Sequence, residues 1–138
     1  MAERDLAVLL ASLDPVLHDG TFVFCSVPSE TVDVAAVATV REDEGMTVVL
    51  DRDEAARRGW PSTFACSWIT LRVTSALDAV GLTAVVATAL ATEGIPANVV
   101  AGFHHDDVFV PADRGVDALL VLAALSKDGR RIVADGDA

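Results

Sequence analysis

Apolar and polar residues alternate from Ile69 to Thr74 within residues 69–75, which read Ile-Thr-Leu-Arg-Val-Thr-Ser. A period of two is typical of a half-buried β-strand. Residues 77–93 are instead rich in alanine and leucine and too long for a strand, so they are predicted to form a helix. Gly94 follows, and glycine readily adopts the left-handed conformation required just past a helix C-terminus.

Two further strands and a second helix are predicted after Gly94. Residues 97–102 and 107–110 are the strands, joined by residues 103–106, which read Phe-His-His-Asp. Pro111 ends the pair, and the second helix follows over residues 113–125. The order strand, helix, strand, strand, helix needs one final strand to complete the split βαβ pattern of a ferredoxin-like unit.

The first half of the chain has a similar order of elements. Leucines at helical spacing predict a helix over residues 5–13, and residues 21–27 form a strand that is apolar on both faces and therefore central. Residues 34–40 and 46–50 flank a charged loop and predict a hairpin. Residues 51–58 predict a short helix that starts at an aspartate.

These elements divide the chain into two units and a tail. A Gly-Trp-Pro-Ser segment marks the boundary, so we expect an N-terminal unit of residues 1–62 and a second unit of residues 63–126. The tail, residues 127–138, is predicted to be frayed apart from a possible short edge strand at residues 131–133.

The composition narrows the class of protein. The net charge of −11 disfavours nucleic acid and anionic membranes as partners, since both are bound through basic surfaces. No apolar run reaches the roughly 20 residues of a membrane span, and the acidic N-terminus is unlike a signal peptide. We therefore expect a cytoplasmic protein, and the hydrophobic content of 52% suggests that some apolar surface lies between subunits. Cys25 and Cys66 are expected to be buried thiols rather than a metal pair or a disulfide.

The strand-to-helix junction at residues 75–83 is the first candidate site. A helix start presents unpaired backbone N–H groups and a positive dipole end, which bind carboxylates, and Gly81 would permit close approach. The alternative is that Ser75 or Asp78 merely caps the helix. Small residues at positions 81, 84, 88 and 91 of the same helix form a stripe, which indicates burial on more than one side and hence an interface.

The segment from Phe103 to Asp107 is the second candidate. Its two histidines and two aspartates suggest a metal site, a polar hairpin loop, or a ligand contact through one acid. Adjacent residues near a strand end point to opposite sides, so at most two of these side chains can converge. The sequence contains no nucleophile elbow, phosphate loop or dinucleotide fingerprint, and we predict no catalytic residue, no metal and no cofactor.

Several of these segments together resemble a known family. They are Ile69-Thr70-Leu71, the junction from Ser75 to Thr83, Ala89-Leu90-Ala91 with Gly94-Ile95, Asn98-Val99-Val100, and His105-Asp106 with Phe109-Val110-Pro111. The chain resembles ACT-domain proteins of the small bacterial tandem type, which are related to the regulatory domains of aspartate kinase and to the CASTOR arginine sensors.

The resemblance implies an α+β, ferredoxin-like βαββαβ fold, with two tandem ACT-like units and antiparallel sheets paired side by side. It also implies a small effector, usually an amino acid, at an interface beside the first strand–helix loop. Carried over by position, the ligand-binding residues would be Asp78, Val80, Gly81, Leu82, Thr83, Asn98, Val99, Val100 and Asp107.

The expected function is therefore regulatory binding of a small molecule, in this family usually an amino acid, by a non-catalytic homo-oligomer. We expect this oligomer to be a dimer, with a biosynthetic enzyme as a candidate partner. Helix-start N–H groups near Gly81 would hold the ligand carboxylate, and Asn98 with strand carbonyls would hold its ammonium. One alternative is an interaction or dimerisation module that binds no small ligand. Another is a metal-dependent enzyme that uses His104, His105 and Asp107.

Overall fold

The computed structural model describes residues 3–31 and 35–136, which form an α+β fold. In chain order the elements are α1 (Leu6–Ala11), β1 (Pro15–Leu17), β2 (Phe22–Val27), β3 (Ala38–Glu42), β4 (Gly45–Asp51), α2 (Arg52–Arg57), β5 (Thr63–Leu71), α3 (Leu82–Thr92), β6 (Asn98–Ala101), β7 (Asp106–Pro111), a 3-10 turn (Ala112–Arg114) and α4 (Gly115–Gly136).

The two predicted units share one antiparallel sheet. Its strand order is β3-β4-β2-β5-β7-β6, and β1 also pairs with β5. The first part of β5 lies beside β2, with Cys66 opposite Phe22, and its second part lies beside both β7 and β1. The strand β5 therefore ends the first ferredoxin-like unit and begins the second. The predicted fold class is confirmed, with the two sheets merged into one.

The missing strand of the second unit comes from the N-terminal part of the chain. The strand β1 pairs antiparallel with β5 through Leu17 opposite Ile69, which is the place of a final ferredoxin-like strand. The predicted edge strand at residues 131–133 is wrong, because α4 continues through Gly136. The cause is a buried side of α4 that includes Leu122, Ser126 and Gly129 and packs on α1. The Ser126 hydroxyl donates to the carbonyl of Ala11 (3.3 Å).

The segment between β5 and α3 also differs from the prediction. The strand ends at Leu71 rather than at residue 75, and the helix begins at Leu82 rather than at residue 77. The chain between them is held by the N-terminal segment: Glu3 N–H donates to the carbonyl of Thr74 (3.1 Å), and Ala76 N–H donates to that of Glu3 (2.9 Å). These partners are remote in sequence, so local composition could not reveal them.

The remaining elements of the first half follow the prediction closely. The strand β2 is central, between β4 and β5, and β3 with β4 forms the charged hairpin. The Asp51 carboxylate caps α2 by accepting from Asp53 N–H (2.8 Å), and Asp5 caps α1. Of the predicted strand at residues 34–40, residue 34 lies outside the described residues, and β3 itself begins at Ala38.

All four helices cover the same face of the sheet. The core beneath α1, α3 and α4 includes Ile69, Val108 and Leu122, and a smaller core beneath α2 includes Val23. The opposite face carries an aromatic cluster built around Phe109. Within the described ranges, none of the helices combines the length and apolarity that crossing a bilayer requires.

The two cysteines are free and buried, as predicted. Cys66 Sγ lies 3.3 Å from the carbonyl oxygen of Phe22, to which the thiol donates. Burial raises the pKa of the Cys66 thiol to about 11, and burial also raises the pKa of Cys25. Both side chains therefore act as small core residues.

Candidate functional site

A small cavity of about 140 Å³ lies where the loop after β5 enters α3. The hairpin of β6 and β7 forms its other wall, because β7 pairs with β5 and brings its first residue beside that loop. The lining residues are Ser75, Ala76, Leu77, Ala79, Gly81, Leu82, Thr83, Ala84, Ala101 and Asp106. The cavity is several times larger than the roughly 30 Å³ that a water molecule occupies in the liquid.

The start of α3 supplies backbone donors to this cavity. Gly81 precedes the helix with a left-handed φ of +104°, and Val85 N–H donates the first helical bond to its carbonyl (3.0 Å). The N–H groups of Leu82, Thr83 and Ala84 have no partner within the helix, by helix geometry. No side chain among the described residues caps α3. The alternative in which Ser75 or Asp78 caps the helix is therefore wrong.

Asp106 supplies a carboxylate to the same cavity. It is the first residue of β7, opposite Ala101 of β6, and it is half-buried. Burial raises the pKa of Asp106 above its ordinary value, the charge of Asp107 adds to this, and His105 opposes it. A desolvated carboxylate of this kind is stabilised by a nearby cation. The cavity thus combines unpaired backbone donors with one carboxylate.

Of the predicted ligand-binding residues, Gly81, Leu82 and Thr83 line the cavity. Asp78 and Val80 lie in the preceding loop and are exposed, Val80 to 84%. The Asp78 carboxylate forms an ion pair with Arg4, which lowers its pKa. The structure therefore brings together Gly81 and the first two helical residues, and it leaves Asp78 and Val80 outside the lining.

The predicted residues of β6 and β7 lie elsewhere. Asn98 and Val100 pair with Phe109 and Asp107 on the helix-free face of the sheet, whereas Val99 packs against the core under the helices. Successive residues of a strand point to opposite faces, so the carboxylate that reaches the cavity is that of Asp106. The sequence signal was present, since Asp106 belongs to the acidic pair, but the strand was predicted to begin one residue later.

Asp107 has protein partners on the helix-free face. Its Oδ1 accepts from Trp68 Nε1 (2.8 Å) and from Thr70 Oγ1 (2.7 Å). His18 stacks on Trp68 with ring centroids 3.6 Å apart, and its Nε2 lies 2.7 Å from Thr70 Oγ1. This cluster connects β5 and β7 to His18, which directly follows β1, and we interpret it as structural.

The histidine pair does not converge with Asp107. His104 is exposed and contacts Phe103 edge-on, while His105 Nδ1 lies 3.5 Å from the carbonyl oxygen of Val73. Among residues 3–31 and 35–136, no group of three or more His, Cys, Asp or Glu side chains is arranged to hold a metal ion.

The structure thus consists of two ferredoxin-like units that share one sheet, with a polar cavity at one strand–helix junction. ACT-domain models match residues 1–67 and 63–126, one after the other. The chain therefore belongs to the ACT-domain family. The two matches overlap at residues 63–67, which lie in the part of β5 that both units use.

Several solved structures share this fold. A Vibrio cholerae protein of unknown function, described as a possible transport protein, is 44% identical, with a TM-score of 0.78 over 88% of this chain and 95% of that one. The Agrobacterium tumefaciens protein Atu0741 is 19% identical, with a TM-score of 0.66 over 81% and 87%. The regulatory subunit of aspartate kinase from Thermus thermophilus is 10% identical, with a TM-score of 0.63 over 83% and 97%. No curated protein matches the chain significantly.

Proposed function

We propose that this protein is a cytoplasmic regulatory protein without catalytic activity of its own, and that it binds a small amino acid in the cavity at the start of α3. The observation that carries the proposal is the pairing of an uncapped helix start with the carboxylate of Asp106 across one cavity. A free amino acid carries one negative and one positive group and so matches both walls.

In this arrangement the ligand carboxylate accepts hydrogen bonds from the N–H groups at the start of α3, where the helix dipole also favours negative charge. The ammonium pairs with Asp106, which takes the role that the sequence suggested for Asn98. The Ser75 hydroxyl and the strand at Ala101 complete the lining. No lysine or arginine is among the lining residues that the structure describes, so the carboxylate depends on main-chain donors.

Regulation would follow from the position of the cavity. The loop that forms one wall is bonded to the N-terminal segment through Glu3 and through the ion pair of Arg4 with Asp78. A ligand that orders this loop can shift the equilibrium between two states of the protein only if it binds one state more tightly than the other. We expect the states to differ in the assembly of a homodimer or in contact with a biosynthetic enzyme.

A thermal-shift screen of the twenty amino acids tests the proposal. An amino acid present at 100 times its Kd should stabilise the protein by about 2.7 kcal/mol, and the others should have no effect. Titration calorimetry with the selected amino acid then gives the stoichiometry, expected to be one per chain. Amino-acid binding would be contradicted if none of the twenty amino acids raised the melting temperature and titration calorimetry detected no heat of binding.

The affinity should depend on pH through Asp106. Because the pKa of Asp106 lies above its ordinary value of 3.8, this carboxylate loses its charge at a higher pH than an exposed aspartate does. Binding of the ammonium requires the ionised form, so affinity should fall as the pH is lowered through that raised pKa. The measurement is calorimetry from about pH 7 to about pH 4. Asp106→Asn should bind weakly and with a flatter pH profile; an unchanged profile would remove Asp106 from the site.

A second candidate function is a docking module that binds no small ligand. The observation that favours it is the exposure of Val116 and Leu120 on the outer side of α4, at 63% and 65%. A module of this kind would give no response in the amino-acid screen but would still associate through α4.

A further inference from the structure

One exposed stripe of α4 has a self-complementary order of charges. The α4 stripe consists of Asp113, Asp117, Leu120, Ala124, Lys127 and Arg131, of which Asp113 lies in the 3-10 turn just before the helix. All six residues are exposed. Their spacing alternates between four and three residues, which keeps them on one side of a helix with 3.6 residues per turn.

The stripe is acidic at its first end, apolar in the middle and basic at its last end. We propose that two copies of this chain associate through their α4 stripes, side by side and antiparallel. In that arrangement Asp113 lies opposite Arg131 of the second copy, and Asp117 lies opposite its Lys127. Leu120 then lies opposite Ala124, and the two-fold axis repeats each of these contacts.

The centre of the stripe can bury apolar surface against such a partner. Leu120 is 65% exposed, and the neighbouring Ala124 is small enough to let a second helix approach closely. A groove of about 440 Å³ between α3 and α4 adjoins both residues and is also lined by Val121 and Leu125. A leucine from the second copy fits the apolar part of this groove, and its burial would favour association.

The charges favour a second copy over other occupants. The stripe carries two acids and two bases and is therefore neutral, whereas the whole chain has a net charge of −11 that opposes self-association elsewhere. A uniformly basic helix would be repelled by Lys127 and Arg131, and a uniformly acidic helix would be repelled by Asp117. Asp117 also forms an ion pair with Arg114 (2.9 Å), but this pair is partly exposed. It therefore competes only weakly with the pairing of Asp117 to Lys127 of the second copy.

This inference rests on the homodimer of the proposed function and adds the surface through which it forms. Its test involves no ligand, so the result for the interface is independent of the result for amino-acid binding. Sedimentation equilibrium of the whole chain should show a dimer. Asp117→Lys places two lysine pairs across the axis, and Lys127→Asp places two aspartate pairs there. Each should raise the dimer dissociation constant by about tenfold or more. The double variant Asp117→Lys/Lys127→Asp restores opposite charges and should return the constant to within about threefold of the original.

Asp43→Lys is the matched control, because it makes the same charge change in the exposed β3–β4 loop and should leave the dimer unchanged.

The antiparallel register has its own test: mixing Leu120→Cys and Ala124→Cys chains under mild oxidation should give mostly the mixed disulfide-linked dimer. A monomeric wild-type chain, a dimer indifferent to both charge reversals, or a double variant no better than the singles would overturn the proposal.

Discussion

Replacing Gly129 by alanine should destabilise the protein by about 2 kcal/mol, although alanine is the better helix former. A Cβ atom at Gly129 would lie 2.5 Å from the backbone nitrogen of Ala11 and 2.7 Å from the carbonyl carbon of Leu10. Both are backbone atoms of the last two residues of α1, so α4 must move away from α1. The measurement is denaturant unfolding at equilibrium, supported by a melting temperature lower by roughly 8 °C.

Gly136→Ala is the control for this result. It lies in the same helix with nothing within 4 Å of the added Cβ, so stability should stay the same or rise slightly. If Gly129→Ala unfolded at the wild-type denaturant concentration, the close approach of α1 to α4 would be contradicted.

Replacing Thr83 by glutamate should weaken amino-acid binding by about 100-fold while leaving the fold intact. Thr83 is exposed in the first turn of α3 and lines the cavity. A carboxylate in that turn interacts favourably with the helix dipole and should stabilise the protein by about 0.3–1 kcal/mol. The same carboxylate repels the ligand carboxylate and competes for its backbone donors. Calorimetry gives the affinity, and denaturant unfolding gives the stability.

Thr88→Glu provides the control, since it makes the same change on an exposed position of α3 outside the cavity lining. Wild-type affinity in Thr83→Glu would show that the ligand carboxylate does not lie at the start of α3. Gly81 is a poorer position for this test. Its φ of +104° strains any L side chain, and an added Cβ would come within 3.2 Å of Leu6, so loss of binding there could reflect distortion alone.

The sequence predicted those elements whose signals are local. Asp51 and Asp5 cap their helices by bonding N–H groups a few residues away, and the run of apolar residues in β2 is typical of a strand that is covered on both faces. These effects act within one element, so the pattern of residue types contains them. The similar order of elements in the two halves predicted two units, and the family resemblance identified them as tandem ACT-like units.

The errors arise where the deciding contact is distant in sequence. Residues 77–81 were predicted to be helical but lie in a loop that is bonded to Glu3, and the tail around Gly129 was predicted to be frayed although Gly129 allows α4 to pack on α1. The strand β1 is only three residues long and exists because β5 offers it a free edge. At the cavity, a strand start misplaced by one residue put Asp107 in the position that Asp106 occupies, on the opposite face.

The strand β5 and the contact of α1 with α4 make the two ACT units inseparable. A cut near residue 62 would deprive the first unit of its last strand and would take β1 and α1 from the second. Ser126 and Ala11 bond across 115 positions, so α1 gains this contact only after α4 has formed. Folding should therefore be one cooperative transition that includes both halves. Duplication or exchange of either half alone would yield a chain that lacks part of the shared sheet.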